Sequence, residues 1–198
     1  MKRKIQGTVI YILCCLIFWS CSETSAGSFT MILSGSVHGQ LDPCGWKKNP
    51  LGGLSRRLVK INEMKASGID PLILDAGDIF FSTSKLNDKN LKSEIHRAKS
   101  IINGYEKIGC NIINVGHYEV LNGLNFLEDI TQNTEIPFIS ANLRNAKSKD
   151  LLFQPYKIFK RDGLKIGVIG VTSNLPDTST TMIADNYIDA GNNFINTL

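Results

Sequence analysis

Three short segments of the sequence combine histidine with carboxylate, hydroxyl or phenol side chains. They read SVHG at 36–39, DAGD at 75–78 and GHYE at 116–119. Histidine and carboxylate are typical ligands of first-row metal ions. Two bound ions roughly 3.5–4 Å apart can hold a phosphate and supply hydroxide for in-line attack. These residue types therefore suggest a metal-dependent site for phosphate-ester chemistry, provided that the fold brings the three segments together.

Each of these segments lies at the end of an apolar run that predicts a β-strand. The runs are SFTMIL at 28–33, PLILDAGDIFF at 71–81 and CNIINVG at 110–116. Amphipathic helices are predicted between them at 52–68 and 91–109, where apolar residues recur at helical spacing. Parallel strands separated by helices place their carboxyl ends at one edge of a sheet, which is where ligands bind in such folds. We therefore expect the three segments to meet at that edge.

The remaining sequence extends the same pattern. GLNFLEDITQN at 123–133 predicts a short helix and IPFISANL at 136–143 another strand. The segment 156–173 reads as two strands around Asp162-Gly163, which is typical of a hairpin turn. NNFINTL, at the end of the sequence, predicts the start of a helix. The order of these elements predicts an α/β protein with a layered sheet.

The N-terminus has the pattern of an export signal. Basic MKRK precedes an apolar run that is too short for a confident membrane span. FWSC, ending at Cys21, resembles a bacterial lipoprotein box, in which that cysteine is lipidated; cleavage after Ala26 is the alternative. We expect an exported, lipid-anchored protein of the bacterial cell envelope. The predicted divisions are 1–20 signal peptide, 21–27 linker and 28–198 domain.

Charge and cysteine content limit the partners of the domain. Removal of residues 1–20 takes away three basic residues and leaves 19 basic against 18 acidic, so the net charge falls from +4 to +1. The domain has no basic stripe, and we expect no nucleic-acid partner. In an oxidising compartment Cys44 and Cys110 are candidates for a disulfide, although spacing cannot establish one. The alternative is that Cys110 is a small buried apolar residue.

Six sequence blocks occur in an order that resembles a known family. They are SVHGQL, LGGLSRR, LILDAGDIFF, VGHYEVLNG, FISANL and KIGVIGVTS, and they extend from about residue 28 to 175. This order resembles the exported 5′-nucleotidase branch of the calcineurin-like metallophosphoesterases. The resemblance implies a four-layer α/β/β/α sandwich, here without its C-terminal part. It also implies hydrolysis of phosphate esters with divalent metal ions such as zinc, manganese or iron.

The resemblance assigns site positions but also shows departures from the family pattern. Its predicted metal ligands are His38, Asp78 and His117, with Asp78 at the bridging position. Ser36 stands where the family has its first aspartate. Tyr118 stands where the family has a histidine that helps to protonate the leaving group, and a phenol can donate a proton but is not a cation near neutral pH. The predicted site rim also includes Asp75, Glu119 and Asn142. Further histidines of the family lie beyond residue 198.

Structural interpretations compete with these roles. Acids after strands often cap turns, and His117 and Tyr118 fit ordinary turn and packing positions equally. Gly52 and Gly53, with Arg56 and Arg57, suit either a phosphate cradle at a helix start or close helix packing. Three hypotheses follow for the protein. It is a divergent phosphoesterase, an inactive envelope protein that binds a protein partner over an incomplete domain, or the N-terminal fragment of a longer 5′-nucleotidase-like protein.

Overall fold

A computed structural model describes residues 27–45 and 51–198 of the chain. The predicted signal peptide and Cys21 lie outside these residues. The strands of the described part are β1 Met31–Ser34, β2 Leu72–Asp75, β3 Ile112–Asn114, β4 Phe138–Ile139, β5 Leu143–Asn145, β6 Tyr156–Arg161, β7 Leu164–Ile169 and β8 Met182–Ala184. Its helices are α1 Leu54–Ala66, α2 Leu91–Ile108, α3 His117–Val120, α4 Gly123–Gln132 and α5 Tyr187–Ile195. None of these helices is long and apolar enough to cross a membrane.

The centre of the fold is a parallel sheet with strand order β1-β2-β3-β4. Leu33 pairs with Leu74, Leu74 with Ile112, and Ile113 with Phe138. This register brings the carboxyl ends of the four strands to one edge. The prediction of an α/β protein with helices between parallel strands is confirmed.

One face of this sheet packs against three helices. Ile73 and Ile113 point to that side and share a core with Ile61 of α1, Ile101 of α2 and Leu127 of α4. All five side chains are almost completely buried. Burial of an isoleucine or leucine side chain stabilises a fold by roughly 1.5–3 kcal/mol. This apolar core therefore fixes the strands from which the predicted site residues extend.

The opposite face of the sheet is covered in part by a hairpin. Its strands β6 and β7 are joined by Asp162 and Gly163, whose φ angles of 46° and 77° fit the two-residue turn expected from the sequence. Side chains of the hairpin pack on Leu72 and Leu74 of β2. On its outer side, the Tyr156 ring lies 6.0 Å from Phe194 of α5. Helices, sheet and hairpin form three layers, and a complete four-layer sandwich stays a prediction.

The hairpin does not cover the outer strand of the sheet. Met31 and Leu33 of β1 are 50% and 67% exposed, whereas their neighbours Leu72 and Leu74 on β2 are buried. The side chains alternate, so Ile32 between them still joins the helical core. An apolar strip therefore lies open along β1.

Two local features differ from the sequence-based prediction. The single strand predicted at 136–143 is divided, because β4 ends at Ile139 and β5 leaves the parallel sheet to pair with β8. The side chains of buried Ser140 and Asn142 in between both bond to Thr172, which follows β7. The strand β8 and the one-turn helix α3 were not predicted.

Cys44 and Cys110 are both free thiols. Cys44 is exposed, whereas Cys110 is buried and its thiol donates a weak hydrogen bond to the Ile112 carbonyl at 3.4 Å. Burial raises the pKa of the Cys110 thiol to about 12. The structure thus favours the buried small-residue interpretation of Cys110 over a disulfide.

We expect a thiol reagent to modify Cys44 in the folded protein and Cys110 only after unfolding. The thiolate is the reactive species, and a pKa raised to about 12 keeps Cys110 protonated through neutral and mildly alkaline pH. Pulse labelling followed by peptide mapping measures the labelling of the Cys44 and Cys110 peptides separately from that of the remaining cysteines. Rapid labelling of Cys110 without denaturant would contradict its burial, and Cys44→Ser should remove only the fast-labelled peptide.

Candidate functional site

The carboxyl ends of β1, β2 and β3 bring the three sequence segments together. We call residues 36–39, 76–79 and 116–119 the rim. The backbone N–H of Ser36 donates to the Gly77 carbonyl at 2.8 Å, and that of His38 donates to the Asp78 carbonyl at 2.9 Å. These bonds join the loop after β1 to the loop after β2. The expectation that strand ends would bring these segments together agrees with the observed geometry.

Strained backbone is concentrated in the rim. Among the described residues other than glycine, five have positive φ angles, and three of them are Ser36 at 53°, His38 at 47° and Asp78 at 59°. A side chain in this region costs of order 1–3 kcal/mol, and such residues persist only where surrounding contacts fix them. They are often found at binding sites. The rim is therefore a candidate site on conformational grounds as well as on residue type.

Tyr118 packs against both histidines of the rim. Its ring centroid lies 4.4 Å from that of His38 and 5.9 Å from that of His117, both with edge-to-face geometry. The Nδ1 atoms of the two imidazoles are buried and have no hydrogen-bond partner. Asp78 accepts a hydrogen bond from the Tyr118 backbone N–H at 2.8 Å. The structure thus brings His38, Asp78, His117 and Tyr118 into one cluster.

This cluster does not form a closed metal site. Within residues 27–45 and 51–198, no group of three or more His, Cys, Asp or Glu side chains is close enough to hold a metal ion. One oxygen of Asp78 is already bound to the first turn of α3. The resemblance implies divalent metal ions, but the described residues by themselves do not supply a complete ligand set for them. Metal binding by His38, Asp78 and His117 therefore stays a prediction.

Asp75, predicted at the rim, is buried and hydrogen-bonded to neighbouring protein groups. It is 3% exposed, and its Oδ1 accepts from the Gly77 N–H at 2.9 Å. Its Oδ2 accepts from the Tyr105 hydroxyl at 2.7 Å and from the Ser34 hydroxyl. The Arg57 guanidinium lies 3.9 Å away. Burial, with the Asp75 charge adding to it, raises the pKa of Tyr105 well above its usual range, so the phenol remains a hydrogen-bond donor.

Glu119 is the most completely buried acid of the rim. It has no exposed surface, and it accepts hydrogen bonds from the N–H groups of Asp78 at 2.7 Å, Ile79 at 2.7 Å and Gly116 at 2.8 Å. Burial raises its pKa to about 7, although the three donors act in the opposite direction. The carboxylate joins the loop after β2 to the loop after β3.

A third buried acid, Glu94 of α2, was missed in the sequence. It accepts hydrogen bonds from the Ser82 N–H and hydroxyl, both at 2.7 Å. Its neighbour Arg97, 3.6 Å away, donates to the Gly39 carbonyl at 3.0 Å. An acid in the first turn of a predicted helix resembles an ordinary exposed or capping residue, so only the tertiary fold shows this role.

Asn142 belongs to a buried polar network next to the rim. Its amide donates to the carbonyls of Thr172 at 2.7 Å and Asp185 at 2.9 Å. Thr172 in turn donates from its hydroxyl to the Val115 carbonyl at 2.7 Å and shares a hydrogen bond with Ser140 at 2.8 Å. The sequence did not single out Ser140 or Thr172. This network ties the ends of β3, β4 and β7 together.

Several known proteins with similar sequences are named 5′-nucleotidases. No protein-family model matches the chain. A 5′-nucleotidase from Vibrio parahaemolyticus is 30% identical over 160 residues, which is 78% of this chain and 26% of that protein. A snake venom 5′-nucleotidase from Naja atra is 29% identical over 160 residues, 74% of this chain and 29% of that protein. The chain thus spans less than a third of the length of these relatives.

The fold is also similar to that of proteins whose structures have been solved. A 5′-nucleotidase precursor from Thermus thermophilus superposes with a TM-score of 0.69 at 22% identity, and covers 86% of this chain and 34% of that one. At that identity the likeness shows the fold alone. With the sequence relatives, it places the described fold among the metallophosphoesterases. The chain belongs, over the part that it shares with them, to the 5′-nucleotidase family of calcineurin-like metallophosphoesterases.

We expect Glu119→Ala to lower the free energy of unfolding by about 3 kcal/mol, because it leaves three buried N–H groups without an acceptor. Glu119→Gln should also destabilise, since an amide presents a donor where one oxygen accepted. Urea unfolding measures both losses. Glu128→Ala on the exposed side of α4 is the matched control and should change stability by no more than about 0.5 kcal/mol. Equal effects of the two alanine variants would contradict the role of Glu119.

Proposed function

We propose that this chain recognises phosphate esters of the nucleotide class at its rim, and that its described residues do not hydrolyse them by a two-metal mechanism. The observation that carries the proposal is that the acidic residues at the rim differ in burial. Asp75 and Glu119 are buried and bound to backbone N–H groups, so Asp78 is the one rim acid with partial exposure. A two-metal centre needs several ligands, whereas phosphate recognition needs hydrogen-bond donors.

The rim supplies such donors. His38 and His117 are half-buried imidazoles whose inner Nδ1 atoms have no partner, and the Tyr118 ring lies beside both. Neutral imidazole and phenol groups can each donate one hydrogen bond to an oxygen atom of a phosphate ester, and protonated imidazole can donate two. Replacement of the family aspartate by Ser36 also removes a negative charge that would repel a phosphate. Membership of the 5′-nucleotidase family supports a nucleotide as the ester.

A second candidate function is hydrolysis of phosphate esters. The strained backbone of Ser36, His38 and Asp78 and the two unpartnered imidazole atoms favour it, because both are common at catalytic sites. In this case His38, Asp78 and His117 would hold zinc, manganese or iron, which would supply hydroxide. Tyr118 would lie near the leaving group and donate a proton to it. The missing ligands would have to come from outside the described residues.

Metal content distinguishes the two candidates. We expect protein purified from its native host to contain much less than one equivalent of zinc, manganese or iron by elemental mass spectrometry, because no three-ligand group is present in the described part. We also expect no phosphate release from a 5′-nucleotide above that of a His38→Ala/Asp78→Asn double variant. A chelator should leave nucleotide binding, measured by calorimetry, unchanged.

The opposite result would support hydrolysis. About one equivalent of metal or more, lost in the His38→Ala/Asp78→Asn variant together with phosphate release, would overturn the binding proposal. Lys60→Gln, an exposed substitution on α1 away from the rim, is the matched control for folding and purification. If the protein bound neither nucleotide nor metal, both candidate functions would be wrong. The binding of a protein partner would then be the next hypothesis to test.

We propose that the protein is exported and lipid-anchored through Cys21. The basic start, the apolar run and the FWSC motif support this interpretation. We expect the native protein in the membrane fraction, with a lipid-modified N-terminal cysteine by mass spectrometry, and Cys21→Ser should release it from that fraction. A mature protein that begins at Gly27 would instead support cleavage after Ala26 and contradict the anchor.

A further inference from the structure

A cavity of about 480 Å³ opens between the carboxyl end of β1 and the start of α1. It adjoins the rim, since Ser36 belongs to both. The residues that define its chemistry are Ser34, Ser36, Gln40, Gly53, Arg56 and Arg57. No aspartate or glutamate is among the described residues that line it. The volume lies in the range of small-molecule sites, and the two arginines in a partly apolar lining favour an anionic ligand.

Two arginines form one wall of this cavity. Arg57 is held in place, because its guanidinium donates to the Tyr105 hydroxyl at 2.9 Å and to the Ser34 hydroxyl. Its side chain retains 19% exposure. Buried Asp75, 3.9 Å away, offsets part of the Arg57 charge. Arg56 lines the same wall and is the second arginine of the cavity.

The start of α1 faces the same cavity. Gly53 is the N-cap and offers no side chain to the first helical N–H groups, and the first turn has no acidic residue. The first of these groups, the Leu54 N–H, donates to the Leu41 carbonyl at 3.0 Å, so a backbone oxygen covers part of the partial positive charge of this helix end. No side-chain carboxylate of the first turn opposes an anion beside the two arginines.

We propose that this cavity binds the phosphate group of a phosphate monoester. The proposal rests on the phosphate-ester recognition proposed above and names the place where the phosphate lies. Arg56 and Arg57 provide charge-assisted donors, for which phosphate oxygens are well suited. Ser36 and Gln40 add neutral donors. The organic part of the ester extends toward His38 and Tyr118, which lie on the rim next to Ser36.

Calorimetry with three probes tests this assignment in chelator-treated protein. We expect inorganic phosphate and AMP to bind with one site per chain, and adenosine to bind much more weakly because it has no phosphate. Arg56→Gln should weaken AMP binding about ten-fold, the loss typical of one charge-assisted contact. Ser36→Asp should weaken it by at least as much, because it places a carboxylate on the cavity wall. Aspartate is one of the residues that tolerate the positive φ of Ser36, so this variant should fold.

Lys60→Gln is the matched control, since it removes the same charge one turn further along α1, where the side chain is 74% exposed. It should leave AMP binding within about two-fold, as expected for a screened surface charge. Unchanged AMP binding in Arg56→Gln and Ser36→Asp would overturn the cavity assignment while leaving nucleotide recognition intact. Equal affinity for adenosine and AMP would also overturn it. Failure of AMP to bind the unmodified protein would overturn both proposals.

Discussion

Three buried carboxylates hold the loop that follows β2, and the rim depends on them. Asp75, Glu119 and Glu94 accept hydrogen bonds from N–H groups of this loop at Gly77, at Asp78 and Ile79, and at Ser82. They are the buried acids of the described part of the chain. A buried charge is costly unless its hydrogen bonds are satisfied, and backbone N–H groups satisfy it here. The loop is therefore fixed from within the core rather than by a ligand.

This arrangement also explains how the rim tolerates its strained residues. Asp78 has a positive φ angle, and its N–H is bound by Glu119 while its carbonyl accepts from His38. Helix α2 adds Arg97, which holds the carbonyl of Gly39 in the loop after β1. Ser36, His38 and Asp78 thus lie in loops that are hydrogen-bonded to each other, and side chains from α2 and α3 hold these loops in place. These contacts hold the rim through protein groups alone.

The sequence predicts those parts of the protein that depend on local pattern. Apolar runs and helical spacing gave the parallel strands, the long helices and the hairpin at Asp162, and strand order gave the meeting of the three rim segments. The division at Ile139, the pairing of β5 with β8, and the roles of Glu94 and Thr172 depend on hydrogen bonds between residues distant in the chain. Asp75 and Glu119 were placed at the rim, but their burial shows in the structure alone. Residue type does not distinguish a buried acid from a ligand.

The rim has a fixed shape without a closed set of metal ligands. Its shape alone therefore does not identify the chemistry of the site. A rim that the core holds in place can keep its geometry after a ligand residue is replaced, as the resemblance implies for Ser36 and Tyr118. Its backbone is thus weak evidence for hydrolysis. The charge of the surrounding walls is more informative, because electrostatic attraction acts on a ligand directly. On one side of the rim the wall includes Arg56 and Arg57, and no described residue of that wall is acidic. A site with fixed donors and few available carboxylates is suited to hold a phosphate rather than the cations that would cleave its ester.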